Sequence, residues 1–131
     1  MARSNLPRIP TIPKNIQHFV ASVVLIVFLP LLPLLLEYWL LSRISAQSLT
    51  LTTAIYAISI GASSTQAVVL VLAIPVSIAF SAAFGVVISV GDPPKGCSIA
   101  AALTILAAAL IHMGERWNRH VAEEKPFWRF W

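Results

Sequence analysis

Glu37 is the first residue whose type and position could do chemistry, because it is the only acid inside a long apolar run. An ionisable side chain within a membrane helix marks a proton or cation site by default. Counted along a helix, Glu37 lies about 27 Å beyond Phe19 and therefore near the outer interface. Tyr38 and Trp39 follow it, as expected for an aromatic belt. We predict an interfacial carboxylate near Arg43, with a coupling acid for proton transport as the alternative.

Histidines and a single cysteine are the other side chains that could ligate a metal or haem. His18 and His112 are predicted near one membrane boundary, where two such residues could hold a haem between helices. Histidines at helix ends more often form interfacial hydrogen bonds, and no HExxH spacing supports a metal site. The lone Cys97 excludes an internal disulfide and a thiolate cluster. We expect no catalytic residue, no metal and no cofactor.

Proline recurs at every third position of the N-terminal tail (residues 1–15), at Pro7, Pro10 and Pro13, each preceded by Leu or Ile. This period matches polyproline II, which has three residues per turn. A preformed extended rod with an apolar edge is a good ligand for a protein partner. A stiff spacer that lies along the membrane surface is the alternative.

The C-terminal tail (residues 114–131) begins with a predicted polar helix from Gly114 to Lys125. Glu115 and Arg119, and then Arg119 and Glu123, have the i, i+4 spacing that places them on one face. Pro126 ends this helix. An aromatic cluster follows, which suits either the lipid headgroup region or a protein partner. The predicted interface contacts of this tail are Trp117, Arg119, Phe127, Trp128, Arg129, Phe130 and Trp131.

The amino-acid composition indicates the class of protein in which these residues lie. Of 131 residues, 58% are hydrophobic and 11% are charged, and the mean hydropathy is +0.84. A soluble domain carries about 25% charged residues, so a water-soluble fold is excluded. No stretch between the apolar segments is long enough for a catalytic domain, and we expect neither enzymatic activity nor nucleic-acid binding. The lipid bilayer is the first predicted partner.

The apolar segments predict an all-α polytopic membrane protein with four transmembrane helices. Residues 44–91 contain no charge, and one helix of that length would span more than two bilayers, so the chain must fold back. The small and polar cluster at residues 61–66 marks the break. The second helix is short and polar, and a re-entrant segment is its alternative. The predicted spans are about 17–41, 48–62, 66–90 and 97–113.

The distribution of Lys and Arg predicts the orientation. With four spans, seven of the nine basic residues lie on the side of both termini, and only Arg43 and Lys95 lie on the other. By the positive-inside rule both termini are then cytoplasmic. The compact chain without a targeting signal suggests a bacterial inner membrane.

Small residues at every fourth position predict close helix packing in the membrane. The third helix has five such positions and the fourth helix three, whereas the first helix has none. We therefore expect helices two to four to form the inner bundle, with helix one outside and a homo-oligomer such as a tetramer. A pore lined by these faces is the alternative. The residues are Ala73, Ser77, Ser81, Gly85, Ser89, Ala100, Thr104 and Ala108.

Together these features predict a non-enzymatic inner-membrane subunit that oligomerises. It would act as an anchor, scaffold or sensor for a cytoplasmic protein partner, for example in a bacterial defence or stress assembly. An oligomeric ion channel is the first alternative function. A small four-span proton-coupled transporter that uses Glu37 is the second.

Overall fold

The computed structural model describes residues 12–125. They form helices joined by short turns, with no strand in that range. This confirms the all-α prediction. The polar helix predicted from Gly114 continues the fourth helix without a break. The four helices are α1 (Lys14–Leu41), α2 (Ala46–Ser63), α3 (Ala67–Val90) and α4 (Cys97–Ala122).

Three of the four helices, α1, α3 and α4, are long and apolar enough to cross a membrane. Most of their surface is exposed in the isolated chain, including many large Leu, Ile and Val side chains. Such a surface is unfavourable in water and suits a hydrocarbon environment. These helices therefore indicate a membrane-embedded protein.

Helix α1 changes its winding in the middle. Its regular α-helical turns give way to a π-helical segment at Val23–Phe28 and a 3₁₀ turn at Leu29–Leu31. Pro30 and Pro33 lack the N–H that would bond the preceding turn, so the hydrogen-bond ladder must be rearranged around them. The sequence predicts a bend at these prolines, and the altered winding lies at the same place.

Helix α2 is the centre of the bundle and packs against each of the other three helices. By contrast, α3 and α4 make at most marginal contact with each other. The predicted inner bundle of helices two to four with helix one outside is therefore wrong in its arrangement. Small residues let neighbours approach α2 from several sides, and they are buried at Thr53, Ala57 and Gly61.

Three hydroxyl groups of α2 are satisfied within the helix itself. Thr50 and Thr53 donate to the carbonyl oxygens of Ala46 and Leu49, each at 2.7 Å. Ser59 donates in the same way to the carbonyl of Ile55 at 2.7 Å. Because these groups need no outside partner, α2 can be buried among apolar neighbours despite its polar composition.

Gly61 marks the closest approach of α2 to α3. A Cβ atom at this position would overlap the Cβ of Ala73 and lie 3.2 Å from the Cα of Leu70. Gly85, in the same bundle, has no atom within 4 Å of its own Cβ position. The absence of a side chain is thus required at Gly61 and not at Gly85.

The row of small residues on α3 does not stay on one face. Ala73 is buried, Ser77 is half-buried, and Ser81, Gly85 and Ser89 are exposed. Each step of four residues turns a helix by about 400°, so four steps carry the row about 160° around the axis. The row therefore begins against α2 and ends on the outer surface. On α4, Ala100 is likewise exposed, whereas Thr104 and Ala108 are half-buried.

Replacing Gly61 by Ala should lower the free energy of unfolding by about 1–3 kcal/mol, because the added methyl group overpacks the contact with Ala73. The second substitution Ala73→Gly should restore part of that loss. Denaturant or thermal unfolding in detergent micelles measures both effects. Gly85→Ala is the matched control and should leave stability unchanged or slightly raised. A Gly61→Ala protein as stable as this control would contradict the close approach.

Candidate functional site

The start of α1, the end of α2, the start of α3 and the end of α4 meet at one end of the bundle, here called the polar end. The ring of Phe19 in α1 meets the ring of Trp117 in α4 edge-on, with 5.3 Å between centroids. The carboxylate of Glu115 in α4 accepts hydrogen bonds from Thr65, in the turn between α2 and α3. The helices therefore alternate in direction, and both ends of the described chain leave at the polar end.

Arg116 connects α4 to the end of α2. Its side chain is buried, with 3% exposure, and its Nη2 donates to the carbonyl oxygen of Ser63 at 2.5 Å. Ser63 is the last residue of α2, where unpaired carbonyl groups make the helix end electronegative. A buried guanidinium is thereby placed where its charge is stabilised.

His112 lies one turn before Arg116 and is fully buried. Its Nε2 accepts a hydrogen bond from Nε of Arg116 at 2.9 Å. Because an arginine always donates, His112 carries its proton on Nδ1, which lies 3.8 Å from Oε2 of Glu115. The Nε2 that could coordinate a haem is thus already used, and the ring of His18 lies 6.5 Å from the ring of His120.

Glu115 makes the opposite connection, to the start of α3. Its carboxylate accepts from both the backbone N–H and the hydroxyl of Thr65, which directly precedes the N-cap residue Gln66. The N-terminus of a helix is electropositive, so a carboxylate is favoured there. Two adjacent residues of α4 therefore bind the two neighbouring helix ends, each with the complementary charge. We call Glu115, Arg116 and their partners Ser63 and Thr65 the turn clamp.

Arg119 is buried, with 9% exposure, and among the described residues its Nε has no hydrogen-bond partner. The i, i+4 spacings with Glu115 and Glu123 do not produce ion pairs in residues 12–125. Glu115 is held by Thr65, and the helix widens to π-helical turns from Asn118, which changes the relation of Arg119 to Glu123. The i, i+4 spacing therefore does not by itself produce ion pairs here.

Glu123 pairs instead with Lys125, at 2.7 Å, and both side chains are more than half exposed. The hydrogen bond from the Lys125 ammonium and its charge lower the pKa of Glu123. An exposed pair of this kind contributes little to stability, about 0–1 kcal/mol. Lys125 is therefore free to exchange this partner for another.

A groove of about 1040 Å³ opens at the polar end and is here called the polar-end groove. Ile26 of α1 and Ala62 of α2 belong to its apolar wall, and the turn at residues 63–66 forms another side. Charged side chains near the end of α4 complete the lining, namely Glu115, Arg116, Arg119, Glu123 and Lys125.

The opposite end of the bundle holds Glu37. Its Oε1 accepts a hydrogen bond from the backbone N–H of Ser45 at 3.1 Å. Ser45 is the N-cap of α2, and its hydroxyl in turn accepts from the N–H of Ser48 at 3.1 Å. Glu37 thus caps a helix N-terminus, which supports a structural role for this acid near the membrane boundary.

The remaining predicted contact residues divide by position. Trp117 is 53% exposed beside Phe19, and Pro13 is the N-cap of α1. Pro7, Pro10 and the aromatic cluster from Phe127 to Trp131 lie outside the described residues. Within residues 12–125 no group of three or more His, Cys, Asp or Glu side chains could hold a metal ion.

The turn clamp could not be recognised from the sequence. Its signals, an uncharged small-residue break at residues 61–66 and a Glu–Arg pair fifty positions later, have no fixed spacing that would link them. Comparisons with protein-family models, with curated proteins and with solved structures found no match. The function is therefore inferred from the geometry of this chain.

Arg116→Met should lower the free energy of unfolding by about 2 kcal/mol or more, because it leaves the Ser63 carbonyl and the His112 ring without their charged donor. Arg116→Lys should lower the free energy of unfolding by less than Arg116→Met does, because a lysine retains the charge but lacks the planar guanidinium. Unfolding in detergent micelles measures these differences. Arg43→Met removes an exposed charge at the other end and should change stability by less than about 0.5 kcal/mol. Equal losses for Arg116→Met and Arg43→Met would refute the clamp.

Proposed function

We propose that the chain is a non-enzymatic integral membrane subunit with four spans, whose two termini face the cytoplasm of a bacterium. Support comes from the alternating helix directions and from the sequence, in which seven of the nine basic residues precede residue 15 or follow residue 115. The subunit assembles with copies of itself and serves as an anchor or scaffold for a cytoplasmic protein.

The length and surroundings of α2 support a fourth span. Its 18 residues extend about 27 Å, within the range used to cross a bilayer. Its hydropathy is lower than that of the other helices, but the buried hydroxyls of Thr50 and Thr53 donate to its own carbonyl oxygens. Surrounded by α1, α3 and α4, such a helix meets protein on several sides and needs less lipid-facing apolar surface.

The exposed part of the small-residue row on α3 supports self-association. Ser81, Gly85 and Ser89 lie on the outer surface of the isolated chain. The hydroxyl of Ser89 donates to the carbonyl oxygens of Gly85 and Val86, at 2.9 and 3.1 Å, and so needs no water. A face of small residues, with the Ser89 hydroxyl satisfied inside its own helix, suits close packing against a helix of a second copy.

A pore through such an oligomer is the second candidate function, favoured by the same exposed hydroxyl-bearing row. Ion flux through purified protein in liposomes tests it. Suppose that the purified protein conducts ions, and that the double variant Ser81→Leu and Gly85→Leu loses this flux but still assembles. That result would favour a channel function over the scaffold function.

The observation that carries the anchoring role is that both described chain ends leave the bundle together, beside Trp117 and the polar-end groove. The turn clamp holds this end by hydrogen bonds that join α4 to the end of α2 and to the start of α3. Two tails that begin from one rigid base can present their proline and aromatic segments to the same partner.

Gly85→Leu should convert the oligomer to smaller species, because Leu prevents close approach of a second copy. The monomer fold should persist, since nothing lies within 4 Å of the added Cβ. Native mass in a mild detergent measures the subunit number, and unfolding measures stability. Ala107→Leu, at an exposed alanine of α4 outside the small-residue row, is the matched control. An unchanged subunit number for Gly85→Leu would contradict this interface.

Deleting residues 126–131, or residues 1–11, should reduce recovery of a cross-linked cytoplasmic partner at least tenfold, because each deletion removes a proposed contact segment. Cross-linking in cells before gentle-detergent purification provides the measurement. The matched control neutralises the basic residues of the other end, by Arg43→Gln and Lys95→Gln, and should leave recovery intact. Equal recovery from the deletions and the control would rule out tail-mediated anchoring.

A further inference from the structure

Arg119 is a buried cation of the polar end whose guanidinium forms no hydrogen bond or ion pair with another described residue. The other buried arginine, Arg116, donates to Ser63 and His112, and Lys125 pairs with Glu123. Arg119 is nine-tenths buried and lines the polar-end groove, yet among the described residues its guanidinium forms no hydrogen bond or ion pair. Burial without a partner is costly for a charged group, so this site is prepared for an anion.

The polar-end groove has two chemically different parts. Ile26 and Ala62 are apolar, and Ile26 lies about 12 Å along α1 from His18, toward the middle of the helix. Arg119 and Lys125 lie at the other part, where α4 ends. A ligand that fills such a groove has an anionic head beside an apolar tail.

The charges that line the groove are consistent with an anionic head. Three cations, Arg116, Arg119 and Lys125, face two carboxylates. Glu115 is bound to Thr65 at the start of α3, and Glu123 is bound to Lys125 in an exposed pair. An anion that enters the groove can therefore bind Arg119 directly. It can also replace Glu123 as the ion-pair partner of Lys125.

We propose that the polar-end groove binds an anionic phospholipid, with its phosphate on Arg119 and Lys125 and an acyl chain along Ile26 and Ala62. This inference rests on the proposed membrane location, in which the polar end lies at the cytoplasmic headgroup layer. A guanidinium binds phosphate through two parallel N–H donors, which a lysine cannot reproduce. The lipid then satisfies the buried charge of Arg119.

Native mass spectrometry of the full chain in detergent, titrated with palmitoyl-oleoyl phosphatidylglycerol, tests the site. Phosphatidylcholine with the same acyl chains is the zwitterionic comparison. We expect phosphatidylglycerol to bind at least tenfold more tightly. Arg119→Gln should abolish that preference, Arg119→Lys should weaken it, and Arg43→Gln, an exposed charge at the other end, should leave it unchanged.

The apolar part of the groove has its own test, which does not alter any charge. Ala62→Phe should block the acyl chain and reduce phosphatidylglycerol binding about tenfold. Ala107→Phe, an equal change on the exposed surface of α4, should not. This pair keeps the proposal testable even if Arg119→Gln does not fold, and the elution volume in gel filtration identifies folded variants.

Three outcomes would overturn the proposal. The first is equal affinity for the two lipids, and the second is a full lipid preference in Arg119→Gln or Ala62→Phe. The third is inorganic phosphate that displaces phosphatidylglycerol at equal concentration, which would assign the site to a free anion. Retention of the chain in carbonate-washed membranes is measured separately. If the chain is retained and the lipid preference is absent, the lipid site alone fails; if the chain is extracted, the proposed membrane function fails.

Discussion

The turn clamp is the interaction on which the polar end depends. Neighbouring residues of one helix, Glu115 and Arg116, bind the start of α3 and the end of α2. The two helix ends have opposite partial charges, so adjacent side chains of opposite sign are each matched. A turn of a few residues between two long helices is thereby fixed to a third helix. Removing the Arg116 side chain would leave the buried His112 ring without its donor, which is far less favourable inside a bundle than at a wet surface.

The central position of α2 follows from the way its polar groups are satisfied. Thr and Ser residues lower the hydropathy of α2, and on composition alone it is the weakest candidate for a membrane helix. In the fold, the hydroxyls of Thr50 and Thr53 donate to carbonyl oxygens one turn back, and the small side chains of α2 allow α1, α3 and α4 to approach. The same residues therefore reduce the apparent affinity of α2 for lipid and increase its capacity for helix contacts.

The helices themselves could be predicted from the sequence, because their ends are marked locally. Gly91 and Gly96, both with positive φ, flank the turn between α3 and α4, and the break after Gly61 separates α2 from α3. The arrangement of the helices could not be predicted in the same way. A row of small residues was interpreted as one packing face, whereas its rotation about α3 leaves Gly85 on the outside. The partners of Glu115 and Arg116 lie fifty and more residues away, beyond the reach of any i, i+4 rule.

Three charged side chains among the described residues stabilise helix ends. Glu37 lies at the start of α2, Glu115 at the start of α3, and Arg116 at the end of α2. The hydrogen bond from the Ser45 N–H gives Glu37 a structural role that requires no transport activity. Arg119 is the exception, because its burial brings no hydrogen bond within the described chain. The other buried arginine, Arg116, donates hydrogen bonds to Ser63 and His112. Because the Arg119 guanidinium has no such partner among the described residues, its charge is the one that indicates a ligand.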